Sequence, residues 1–404
     1  MADSRTETAR KAAGSIGLVT PLGTAAAPQA PAADEEWQLP GGSARVYYGE
    51  GQQGVVRPVV LADGFDLGPT DFDRLWAGLE NGRYPFVGEL RRRARTLVLV
   101  GFDERSESIL RNAETVTAAI LRTVAEQLGD TRLLVGGFSM GGLVTRYALA
   151  KMETQRMDHR TGVHLSFDSP HRGAWLPIGL QAFAHYLAQT GDDTHLRQIS
   201  SPAAQQMLWR YLDGVKGTPQ ESPLRTEFKE RLQQVGSWPR IPMLLGVSSG
   251  RGDGVGNGVR AGAKALTCAG PLFDGTHFLA QSQGDAEAAV LSGVLGGPHS
   301  ITTSGLAELD GAPGGTLESF GILGDALTAS GESVDTAHRS VCFVPSVSAV
   351  SVRDLDQQED LYTNIDSLPP EQSDLDDYLL SGSNDPHAGM TAELGEWILD
   401  RLPD

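Results

Sequence analysis

The stretch Arg132–Met152, RLLVGGFSMGGLVTRYALAKM, decides the fold. Its opening, Arg132 to Gly137, is an apolar run that reads as a buried strand, and Leu143 to Met152 reads as the helix after it. Between them lies Gly137-Phe138-Ser139-Met140-Gly141, a G-x-S-x-G run. A serine on so tight a strand-to-helix turn has a strained backbone, and glycines two before and two after it remove the Cβ atoms that would collide there. Its hydroxyl then stands above the sheet at the N-terminus of a helix, where developing negative charge is favoured. A chemically silent glycine-rich turn can carry the same letters. The strand before and the helix after favour a catalytic Ser139.

Outward from this turn, strand and helix signals alternate. Val55–Ala62, Arg95–Val100, Val163–Phe167 and Ile241–Val247 are short apolar runs. Ser106–Leu128 is helical, with Ile109, Ala113, Val116, Ile120, Val124 and Leu128 near a 3.6-residue spacing. Ala392–Leu402 reads as a closing helix. Apolar strands alternating with amphipathic helices predict an α/β domain with a mostly parallel central sheet covered on both faces. Residues 175–240 break the rhythm. They are helical in pattern, lack a strand and predict a cap inserted between two sheet strands. The cap's apolar residues, among them Trp175, Phe183, Tyr186, Met207 and Trp209, are either its own core or a wall over the serine. From Gly250 to Gly324 there are 18 glycines in 75 residues, so 250–340 is expected to be an irregular β-rich insertion. The core then comprises 41–174 and 241–404, and residues 1–40, rich in Ala, Pro and Gly, are expected to be a disordered tail.

The 404 residues carry 33 Lys+Arg against 51 Asp+Glu, a net charge of −18. That balance argues against nucleic acid or an anionic membrane as partner, since both need a positive face. No apolar run is long enough to span a bilayer and no signal peptide is visible, so a cytoplasmic location is expected. Cys268 and Cys342 are too few for a disulfide framework and read as structural thiols. No P-loop, dinucleotide fingerprint or metal-ligand spacing occurs. Neither a metal nor an organic cofactor is expected.

The segment Gly136–Gly142 resembles the elbow of α/β-hydrolase-fold lipases and esterases, and Asp168-Ser-Pro-His-Arg-Gly173 resembles their T-P-H-x-G segment. More narrowly, the chain resembles a bacterial group of lipase-like hydrolases. That group has an E-G-F-D segment, here Asp63-Gly64-Phe65-Asp66, and a late F-x-P-T-x-S-A segment, here Phe343–Ala349. It departs from the group at Ser351, where an aspartate is usual. The resemblance spans roughly residues 55–400. It implies the α/β-hydrolase fold and a serine nucleophile, and says little about the substrate.

A serine hydroxyl needs an adjacent base at neutral pH, and in this fold the histidine follows the acid in the chain. His387, in a turn just before the terminal helix, is the candidate. His171, whose lipase counterpart is structural, and His277, His299 and His338 are the competitors. For the acid, Asp168 ends the strand after the nucleophile's helix, and the resemblance favours it. Asp253, in Gly250-Arg-Gly-Asp-Gly254, is the alternative, with Asp354 and Asp356 behind it. The oxyanion hole would use the amides of Met140 and Phe65. These roles imply an enzyme that cleaves a carboxylic ester through an acyl-enzyme on Ser139. Two alternatives stay open. One is a thioesterase or acyltransferase using the same residues, with a thiol or alcohol as acceptor. The other is a non-catalytic binding protein on the same fold.

Overall fold

The structure is a computed structural model that describes residues 29–189, 191 and 193–403. Seven strands of the main sheet come first: β1 (Glu35–Leu39), β2 (Gly42–Tyr47), β3 (Val59–Ala62), β4 (Leu97–Phe102), β5 (Leu133–Phe138), β6 (Thr161–Phe167) and β7 (Met243–Ser248). The chain then leaves the main sheet for β8 (Lys264–Ala269), β9 (His277–Leu279), β10 (Ala286–Leu291), β11 (His299–Thr303), β12 (Gly314–Leu317), β13 (Ser333–Asp335) and β14 (Val341–Pro345). It returns as β15 (Asp377–Leu380). The main sheet has the order β1-β2-β4-β3-β5-β6-β7-β15. β2 is antiparallel to both its neighbours, and every other pair from β4 to β15 is parallel. This is the α/β-hydrolase arrangement, with the Ser139 turn at the C-terminal end of the central strand β5.

The sheet's period of two sorts its side chains to opposite faces. Val60 and Ala62 of β3 face the core layer built with α3 (Ile109–Glu126) and α4 (Met140–Thr154). Val59 and Leu61 face the layer built with α1 (Phe72–Glu80), α2 (Phe86–Arg92) and the terminal helix Ala392–Leu399. Side chains cap α1 and α3. Asp71 accepts from the amides of Asp73 and Arg74, and Ser108 accepts from Leu110.

Two boundaries differ from the sequence reading. The stretch 55–62 is not one strand, because Arg57 adopts φ 47° before Pro58 and only Val59–Ala62 joins the main sheet. The expected tail does not reach residue 40. Strand β1 starts at Glu35, and Trp37 is fully buried beneath the Arg122 guanidinium, 4.7 Å from its ring. Residues 1–28 lie outside the described residues.

The 175–240 segment contains α5 (Ile178–Ala188), α6 (Thr194–Ile199), α7 (Pro202–Met207) and α8 (Pro223–Gln234). The glycine-rich region forms a second sheet, β11-β10-β9-β8-β13, and a separate β12–β14 pair. These two insertions pack on each other. Phe183 of α5 meets Phe273 and Phe278 edge-on, the Tyr186 hydroxyl donates to Gly296 O at 2.7 Å, and Trp175 Nε1 donates to Asp310 Oδ1 at 2.7 Å. The apolar faces of α5 and of the second sheet are therefore buried by one another.

Close approach at the elbow makes Gly141 intolerant of a side chain. A Cβ there would lie 2.4 Å from Ala62 O and 2.7 Å from Asp63 O, both backbone atoms of the neighbouring strand and its loop. Gly141→Ala is expected to destabilise the fold by about 1–3 kcal/mol, the usual range for overpacking. Denaturant unfolding of the variant measures it.

Candidate active site

Ser139 follows β5 and caps α4 with φ 53° and ψ −120°, a conformation that non-glycine residues adopt only under constraint. Its amide donates to Phe167 O at 2.8 Å, which ties the turn to β6. The adjoining Phe138 ring packs against Phe167, tilted, with centroids 5.3 Å apart. The serine is buried apart from a small opening into a narrow cleft, about 60 Å³, lined by Asp63–Asp66, by Arg74, Leu75, Gly78 and Leu79 of α1, and by Arg105, Phe138 and Ala388.

The imidazole of His387 is fully buried and edge-on to Phe343, with ring centroids 4.8 Å apart. Its Nδ1 is 2.7 Å from Asp168 Oδ2. The same Oδ2 accepts from the Ala388 amide at 3.2 Å, and Oδ1 accepts from the Ser249 amide at 3.0 Å. Asp168 ends β6 with φ 49°, and its own amide donates to Val247 O. With Nδ1 facing a carboxylate oxygen, the neutral imidazole is held in the tautomer that carries hydrogen on Nδ1. Nε2 is then an acceptor, and it has no hydrogen-bond partner in the structure. The Ser139 hydroxyl is not bonded to it here.

The glycine-rich insertion holds this histidine. Thr316 of β12 donates its amide to Asp385 O at 2.9 Å, and the His387 amide donates to Thr316 O at 2.8 Å. The next residue of β12 toward the N-terminus is Gly315, where a Cβ would sit 2.1 Å from Asp168 Oδ2. Asp385 is anchored in turn by Ser383 Oγ at 2.9 Å and Arg83 at 2.7 Å. The sequence reading missed Gly315 and Thr316 altogether. A lone glycine among 18 carries no signal of its partner.

Asp253 lies elsewhere. It is exposed, takes two hydrogen bonds from Arg251 (Nε at 3.0 Å, and a second from Nη2), and accepts from the Val255 amide. Those donors hold its carboxyl below the usual aspartate range, the Arg251 bond foremost. Asp354 and Asp356 pair with Arg172 and Arg210. His277 faces Glu287 at 3.6 Å, and His299 packs against Tyr186. His171 is buried against Trp238, accepts from Arg146 at its Nδ1, and is held neutral by burial first and by that cation second.

Met140 N–H opens α4, and the Phe65 amide follows Gly64, whose Cβ position would be 3.5 Å from Ser139 Cβ. Neither amide donates to another described residue. The loop is fixed by Asp63, the first residue of the Asp63-Gly64-Phe65-Asp66 segment. Its Oδ1 accepts from Gly64 N at 2.7 Å, its Oδ2 accepts from Thr70 Oγ1 at 2.8 Å, and Arg105 lies 3.7 Å away. Burial raises the Asp63 pKa, and Arg105 pulls against that rise. Asp63→Ala should free the loop and cost catalysis about as much as losing one oxyanion donor, about 10²-fold or more in kcat. Steady-state kinetics on a chromogenic ester would read this loss, with KM little changed.

The cap does not wall this cleft. Trp175, Ile178, Phe183, Tyr186 and Trp209 belong to the packed core. The cap approaches the site behind Phe65, where Ala174, Ile199, Ala204, Met207 and Leu208 line a small apolar cavity with Phe343, and at Asp66, which accepts from Gln198 Nε2 at 3.5 Å. The wall facing Ser139 is α1. Among the described residues no group of three or more His, Cys, Asp or Glu side chains is placed to hold a metal ion, and no helix is long and apolar enough to cross a membrane. Both cysteines are buried and unpaired.

No protein-family model matches the chain, and no curated protein does. Solved structures are similar over part of it. The mature form of lipase BlEst2 from Bacillus licheniformis is 11% identical, with 50% of this chain and 71% of that one covered and a TM-score of 0.31. An α/β serine hydrolase without a lid from Xanthomonas campestris is 20% identical over 36% and 65% of the two chains, with a TM-score of 0.26. Est1E from Butyrivibrio proteoclasticus is 11% identical over 53% and 76%, with a TM-score of 0.31. The chemistry rests on this chain's own residues.

Proposed function

We propose that the protein hydrolyses carboxylic esters through an acyl-enzyme on Ser139. The observation that carries the reading is the Asp168–His387 pair, buried at 2.7 Å with the second imidazole nitrogen left as a free acceptor. Ser139 attacks the ester carbonyl, and His387 Nε2 takes the hydroxyl proton. Asp168 keeps the tautomer and stabilises the imidazolium. The developing oxyanion is received by the Met140 and Phe65 amides. His387 returns the proton to the departing alcohol. Water then attacks the acyl-enzyme, again with His387 as base, and the acid leaves. The last contact, from the Ser139 hydroxyl to Nε2, tightens when substrate binds, as such bonds commonly do.

The narrowness of the cleft and the apolar Phe65, Leu75, Leu79 and Phe138 around it favour small acyl groups. A p-nitrophenyl ester series tests this. The acetate should exceed the octanoate by about tenfold or more in kcat/KM, since each methylene that fits poorly costs on the order of 1–3 kcal/mol. Thioester and amide probes with equal or better turnover would move the reading to another acyl transfer.

A further inference from the structure

Sharing no lining residue with the Ser139 cleft, a second recess of about 600 Å³ opens between α8, the end of α7 and the 354–356 loop. It is unusual for a chain of net charge −18. Five cationic side chains line it: Arg146, Arg172, Arg210, Arg225 and Lys229. Only three carboxylates do so: Glu221, Asp354 and Asp356.

These charges are not evenly matched. Arg172 pairs with Asp374 at 2.9 Å, Arg210 with Asp356 at 2.7 Å and Lys229 with Glu221 at 3.0 Å. Arg146 and Arg225 have no carboxylate within 4 Å among the described residues, although they are only 7% and 5% exposed. Arg146 spends Nε on Ser237 O and one terminal nitrogen on His171, and it stacks 3.4 Å from the Trp238 ring centroid. Arg225 donates to the carbonyls of Gln206, Met207 and Arg172, while its Nε has no partner. Carbonyls satisfy donors but do not neutralise a charge, and an uncompensated buried cation is costly. Burial pulls the Arg146 pKa down to about 9 and that of Arg225 to about 10. Neutral His171, beside Arg146, keeps an Nε2–H without an acceptor.

We propose that this recess is a binding site for a small dianion, a phosphate monoester or a dicarboxylate, seated on Arg146 and Arg225 and rimmed by Arg172, Arg210 and Lys229. Arg146 and Arg225 are the two lining cations with no carboxylate within 4 Å among the described residues, and a dianion matches them. Guanidinium forks recognise phosphate and carboxylate oxygens in pairs. The site is separate from the Ser139 chemistry and does not depend on it.

Isothermal titration of the full chain with inorganic phosphate, and in a second arm with succinate, tests the proposal at ionic strength held constant with sodium chloride. Saturable one-site binding is expected. Arg146→Met should weaken it at least tenfold. Asp356→Asn and Glu221→Gln, which free Arg210 and Lys229 from their rim partners, should tighten it several-fold. Ser139→Ala should leave it unchanged. Stronger binding of phosphate points to a phosphate monoester and stronger binding of succinate to a dicarboxylate, and either sustains the site. If Arg146→Met fails to fold, the two rim variants decide. Heats that match sodium chloride dilution in both arms overturn the proposal, as does binding that the rim variants leave unaltered.

Discussion

Ser139→Ala is expected to abolish ester turnover and covalent labelling by a fluorophosphonate while leaving thermal unfolding close to that of the parent chain. Loss of such a nucleophile costs on the order of 10⁶ in kcat, and His387→Ala should match it, because nucleophile and base act as one unit. The basis is positional. Among the described residues Ser139 alone combines a positive φ, a site at the end of a central parallel strand and an opening into a cleft beside two uncommitted amides. Ser351 also has a positive φ, but its hydroxyl is spent on Asp374 at 2.8 Å. Removing one hydroxyl from Ser139 opens little volume and breaks no hydrogen bond of its side chain, so the fold should survive. Mass mapping of the labelled peptide checks the site directly. Labelling of the alanine variant at the parent level would defeat the serine-hydrolase reading, and normal turnover by His387→Ala would reassign the base.

The main sheet was legible because its strands are buried on both faces. Runs such as Leu97–Val100 and Leu133–Val135 are short, continuous and apolar, which suits strands of a sheet interior covered on both faces. The β1–β2 hairpin was not legible, since its alternating Glu35, Glu36, Ser43 and Arg45 look like the polar chain that precedes them. The role of the cap was left open by the sequence for a related reason. Its aromatic residues announce burial, but periodicity cannot say against what. Their partners, Phe273 and Phe278, lie about 90 residues further on, in a region whose glycines suggested only an irregular β-rich insertion. The site was legible where it is local, as at the elbow. It was obscure where it is assembled from distant pieces: Asp63 with Thr70 and Arg105, and Gly315 against Asp168. Those contacts are made by backbone proximity, which leaves little trace in residue type.

Asp168→Asn should be severely impaired, and Asp253→Asn close to normal. Asparagine at 168 can still accept at one oxygen, but it offers an amide where the Nδ1–H needs an acceptor, and it carries no charge to balance imidazolium. In trypsin-type triads this exchange costs about 10⁴ in kcat. The wrong tautomer is the larger part of that loss, and here the geometry leaves no escape. Asp168 Oδ2 already takes the Ala388 amide as well as Nδ1, and Oδ1 takes Ser249 N, so flipping the asparagine only moves its NH₂ onto another donor. Either orientation buries a donor facing a donor, which also costs stability, about 1–3 kcal/mol. Asp253 is different in each respect. Its partners are Arg251 and one amide two residues away, and it is exposed. Its loss should change neither kcat nor the pH dependence of kcat/KM. Paired kinetics and denaturant unfolding of the two variants separate the roles. A mild Asp168→Asn beside a crippled Asp253→Asn would require the histidine loop to swing away from Asp168 during turnover, against the three hydrogen bonds that now hold that carboxylate.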